Sequence, residues 1–85
     1  MEETFEIVDP KAVTQGDYLT FTIRDGNVTL PGRISRSALA VLDRTGKHDD
    51  LEIFEIHLQH IRRAAYEMRR VNPGLDLIAL GSNNF

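Results

Sequence analysis

The sequence predicts a single α+β domain in which a small antiparallel sheet packs against a short helix and a long one. Three observations carry this. Residues 18–34 alternate between apolar and polar about an Asp25-Gly26-Asn27 turn, apolar residues at helical spacing fill 50–71, and the aliphatic stretch 75–80 is bounded by glycines. Strand patterns and helix patterns occupy separate parts of the chain, which favours α+β over alternating α/β.

The elements follow in order. Residues 4–8 are a short strand with Phe5 and Ile7 on one face, and Asp9-Pro10 and Gly16-Asp17 are turn chemistry. The segment 1–16 is therefore a loose terminus or an edge strand. In 18–24, Leu19, Phe21 and Ile23 share one face while Tyr18, Thr20, Thr22 and Arg24 share the other, the period of a half-buried strand. Asp25-Gly26-Asn27 supplies the positive-φ residues that a tight hairpin needs. Val28, Leu30, Gly32 and Ile34 continue the same period. Pro31 cannot donate to a ladder, so it belongs where its strand has no partner or at a bulge.

Ser35 is an N-cap for a short helix at 36–44, whose apolar face is Ala38, Leu39, Val41 and Leu42 and whose terminator is Gly46. Asp49 and Glu52 have capping-box spacing and open the long helix at about 50. Leu51, Phe54, Leu58, Ile61, Ala65 and Met68 fall in one stripe, widened by Ile53, Ala64 and Val71. Asn72-Pro73-Gly74 ends that helix, because the residue before a proline is pushed out of the α region. The last strand, 75–80, brings Leu77 inward and completes a sheet that a lone hairpin could not sustain. The expected core is Leu19, Phe21, Ile23, Val28, Leu30, Ile34, Leu39, Leu42, Phe54, Leu58, Ile61, Met68 and Leu77.

Composition removes several function classes. The chain has 85 residues, room for one domain, and 41% hydrophobic with 27% charged residues is globular rather than disordered. It has no cysteine, hence no disulfide, no thiolate metal site and no thiol nucleophile. The acidic start MEETFEIVD lacks the pattern of a signal peptide, and the longest apolar run, 38–42, is far short of the roughly 20 residues of a membrane span. A cytoplasmic setting is the expectation. The formal charge of -3 gives no general attraction to nucleic acid or anionic lipid.

The stretch YLTFTIRDGNVTLPGRISRSALAVL, followed by FEIHLQHIRRAAYEMRR and a closing strand, resembles the bacterial domain-of-unknown-function 1488 family. The residues that carry the resemblance are chiefly Ile34-Ser35, Ala38-Leu39 and Phe54, and it extends over residues 18–85. Family members commonly have a glutamate where this chain has Ser37, and a cysteine in the second strand that is missing here. The resemblance implies a small α+β fold and a bacterial cytosolic setting. It brings no activity, cofactor or site residue with it.

Candidate functional residues lie on the long helix. Arg62, Arg63, Arg69 and Arg70 form a basic end that would track phosphates in a nucleic-acid-binding regulator. Acid at the helix start and base at its end is equally what the helix macrodipole favours. His57 and His60, three apart, have metal-ligand spacing, and His48 is the only further histidine. With no third ligand in register, a half-buried histidine beside a surface one is the simpler reading, and no metal or cofactor is expected. Ser35 and Ser37 lack a nucleophile elbow, so no catalytic residue is assigned. Ile56 falls nearly opposite the core stripe, among Glu52, Gln59, Arg63 and Glu67, and Tyr66 lies off the stripe on its other flank. A chain of 85 residues buries only a thin core, so these two point to partner binding. The sequence thus predicts a small non-catalytic binding or accessory module, a homodimer or the ligand of an unknown protein partner, with nucleic-acid binding as the alternative.

Overall fold

The computed structural model describes residues 5–12 and 16–85; Thr4, the start of the expected first strand, lies outside the described residues. The chain runs through β1 (Phe5–Ala12), β2 (Tyr18–Asp25), β3 (Val28–Ser35), α1 (Arg36–Leu42), α2 (Asp50–Ile56), α3 (Leu58–Val71) and β4 (Ile78–Leu80), and closes with a 3₁₀ turn at Ser82–Asn84. The α+β class holds: one four-stranded sheet in the order β1-β2-β3-β4 carries the helices on one face.

The first strand is longer than 4–8. It runs through Asp9-Pro10 as a bulge, with the register to β2 shifting between Val8 and Lys11. Asp9 takes a left-handed φ of 55, which a short polar side chain tolerates, and Pro10 is accommodated because β1 is an edge strand. The hairpin forms as expected. Asp25 pairs with Val28, leaving Gly26-Asn27 as the loop, and only Gly26 (φ 61) is left-handed, the signature of a type II′ turn.

The last strand departs from expectation in length and direction. It covers only Ile78–Leu80 and runs parallel to β3, so the sheet is mixed rather than antiparallel. Both departures have physical causes. Pro31 has no N–H, and the β3–β4 ladder begins one residue after it, at Gly32 opposite Ile78. The C-terminal end of α3 sits at the hairpin end of the sheet, where Arg69 meets Asp25, so the chain re-enters the sheet in the direction of β3.

The long helix at 50–71 is two helices. The chain breaks at His57 (φ -105, ψ 24), whose N–H closes α2 onto Ile53 and whose carbonyl accepts the first bond of α3 from Ile61. The short helix ends at Leu42 rather than 44. Asp43 stops it, donating its own N–H to Leu39 and accepting from the Thr45 amide and hydroxyl, while Gly46 lies further out in the loop. Both expected caps form. Ser35 Oγ accepts from the Ala38 amide at 3.1 Å, and Asp49 and Glu52 exchange two bonds of 2.9 Å.

Phe5, Leu19, Ile23, Ile34, Leu39, Phe54, Ile61 and Ile78 are the large fully buried side chains. Val28, expected in the core, and Leu51 and Val71, expected in the apolar stripe of the long helix, are exposed, and Leu77 is half-buried while Ile78 and Leu80 take the inward positions. Leu42, Leu58 and Met68 pack at the margin of the core.

Candidate partner-binding surface

α2 buries Ile53 and Phe54, the latter against Phe21 with ring centroids 5.4 Å apart. At about 100° per residue, Glu52 and Glu55 then occupy the outermost line of the helix, and Leu51 and Ile56 stand on either side of that line. Exposure agrees: Leu51 is 38% and Ile56 57% accessible. With His48 and Asp49 these residues line an open hollow of about 430 Å³. The surface is thus two aliphatic side chains around a carboxylate ridge. Asp50, beside it, is held by Arg36 through a 3.0 Å bond, and Glu52 spends one oxygen on the cap. Glu55 and the second Glu52 oxygen remain to face an incoming group.

The loop before α2 is held by Asp43, whose carboxylate accepts from Thr45 and lies 2.6 Å from His48 Nδ1. These bonds, those from Thr45 above all, lower the carboxyl from its ordinary 3.8 to about 2. His48 is thereby committed to Asp43. Among the described residues no group of three or more His, Cys, Asp or Glu is gathered as metal ligands would be. His57 is the residue at the helix break, and His60 stands edge-on to Phe85 with centroids 5.3 Å apart.

The four arginines separate. Arg62 Nε donates to the Phe5 carbonyl at 2.9 Å, fastening β1 to α3. Arg69 is only 16% exposed and reaches Asp25 at 2.9 Å and the Pro73 carbonyl at 2.6 Å, tying α3 to the hairpin. Arg63 pairs with Glu67 at 3.5 Å on the exposed side of the helix, and Arg70 donates to the Tyr66 hydroxyl at 3.0 Å. A hollow of about 610 Å³ along this face gathers Arg62, Arg63 and Tyr66 with His60 and Glu67. Tyr66 itself is half-buried, edge-on to Phe5 at 5.3 Å. Of the two residues singled out for partner binding, Ile56 is presented outward and Tyr66 serves to cover the first strand. They lie on different helices and share no surface hollow among those described.

Ser35 and Ser37 hydroxyls are 3.0 Å apart, and Ser35 is occupied as the cap of α1. Among the described residues no helix is long and apolar enough to cross a membrane. Leu51 is a surface residue that sequence reasoning missed, since the apolar stripe of the helix took it in, as it took in Val71, which is more exposed still. Also missed was the outer face of the sheet, although the alternation of Tyr18, Thr20, Thr22 and Arg24 marked it. No family model, curated protein or solved structure matches this chain.

Proposed function

We propose that this chain is a non-catalytic binding module that works through the α2 face, taking a protein partner with apolar anchors and flanking cations. The observation that supports it is the pairing of exposed Leu51 and Ile56 with Glu52 and Glu55 on a helix whose other side is fixed in the core. Two aliphatic side chains give the partner area to bury, and the ridge selects for positive charge. The nucleic-acid reading has less support, because Arg62 and Arg69 act within the fold and Arg63 faces Glu67. The cysteine-free composition fits a cytoplasmic setting.

Fluorescence anisotropy of a labelled amphipathic peptide of leucines and lysines tests the reading. Binding that Ile56→Asp abolishes, with folding intact by circular dichroism, is the expected result. Binding unaffected by Ile56→Asp, or none at low salt, overturns it.

A further inference from the structure

Among the described residues no helix or strand packs on the face of the sheet turned away from the helices, and its register can be followed strand by strand. Glu6 lies beside Arg24 and then Thr29; Val8 beside Thr22 and Pro31; Lys11 beside Thr20, Arg33 and Ala79; and Tyr18 beside Ser35. Lys11, Arg24 and Arg33 stand in these rows against one carboxylate, Glu6. No ion pair among the described residues involves any of the three cations. Arg33 instead lies over the Tyr18 ring, 5.2 Å from its centroid, at the rim of a second hollow of about 430 Å³.

We propose that the α2 face of one copy docks head to tail on this outer sheet face of a second copy. The inference rests on the reading of α2 given above and names its partner. Three features support it. The charges are opposite, with Glu52 and Glu55 on one surface and Lys11, Arg24 and Arg33 on the other. The two surfaces belong to opposite layers of the fold, since α2 packs on the inner side through Phe54 and Phe21, so one copy can offer both at once. Symmetric contacts are disfavoured, because α2 on α2 would press carboxylate ridges together and sheet on sheet would juxtapose arginines. Leu51 and Ile56 would meet Val8, Pro31 and the Tyr18 ring, the apolar members of the opposing face.

The contact is small. A seven-residue helix is only about 10 Å long, so the buried area falls below that of a standard stable interface. Association is therefore weak, concentration-dependent and sensitive to salt. A head-to-tail contact does not close on itself after two copies, so growth beyond a dimer is expected as concentration rises.

Light scattering on two double variants tests this. Glu55→Lys with Ile56→Asp disables the α2 face, and Arg24→Glu with Arg33→Glu disables the sheet face. The wild-type average mass should rise through the high micromolar range at low salt and fall back toward the monomer at high salt. Each variant alone should stay monomeric, and an equimolar mixture should form a one-to-one pair that grows no further. A wild type that remains monomeric, or a mixture that forms no pair, overturns the inference. So does a monomer that binds oligo-dT through Arg24 and Arg33, which would assign the sheet face to nucleic acid. If the leucine–lysine peptide still requires Ile56 in any of these cases, the α2 surface stands and only its partner is wrong.

Discussion

Gly32 decides how closely Phe21 can lie on β3. A Cβ at this position would come under 3.0 Å from three carbons of the Phe21 ring, which itself packs on Phe54. Gly32→Ala should therefore cost about 2 kcal/mol by overpacking, read as a lower urea midpoint. Gly81→Ala, where a Cβ meets nothing within 4 Å, should stay within about 0.5 kcal/mol. Asp43 gives a pH signature. Its carboxyl is lowered from 3.8 to about 2 in the folded protein by Thr45 and His48, so its contribution is fully present above its ordinary value. The contribution is lost as pH falls through that window, because the unfolded chain takes up the proton first. Asp43→Asn should thus be less stable than wild type at neutral pH, with the gap narrowing as pH drops from 3.8 toward 2. Urea titrations along that pH series would check both sign and window.

At the scale of elements, the ends are chemically specified and the junctions are tertiary. The Asp49–Glu52 box fixes where α2 starts, and Asp49→Ala should cost about 1 kcal/mol in thermal unfolding. Arg69 and Asp25 clamp α3 to the hairpin with the arginine largely covered. A double-mutant cycle with Arg69→Ala and Asp25→Ala should give a coupling of about 1 kcal/mol. The caps at Ser35 and Asp49, the hairpin about Gly26 and the helix stop before Pro73 were legible in the sequence because each depends on neighbouring residues. The break at His57 was not, since Ile56, His57 and Leu58 are all compatible with a helix and no breaker residue marks the junction. Periodicity marked the correct face of α2 and β3 but could not say how far the opposing layer reaches. Val28, beside the hairpin turn, and Leu51, in the first turn of α2, therefore project past their cover. The candidate site was half legible: Ile56 stood out against its stripe, whereas Leu51 was hidden within it. Tyr66 and the arginines could be sorted only once β1 was seen lying against α3.

For the whole molecule, a net charge of -3 conceals an uneven distribution. Carboxylates gather around α2, cations stand on the outer face of the sheet, and one layer of helices packed on the sheet separates these surfaces in a body of 36 × 23 × 20 Å. Ile56 is 57% exposed, so Ile56→Asp should leave folding stability within about 0.5 kcal/mol while removing binding. That separation between stability and binding is what a docking residue, as opposed to a core residue, should show. Mapping amide chemical shifts while the leucine–lysine peptide is titrated in tests the central claim most directly. The account predicts that the amides of Leu51, Glu52, Glu55 and Ile56 move together while α3 stays still. Shifts confined to His60, Arg63, Tyr66 and Arg70 would contradict it and move the working surface to α3.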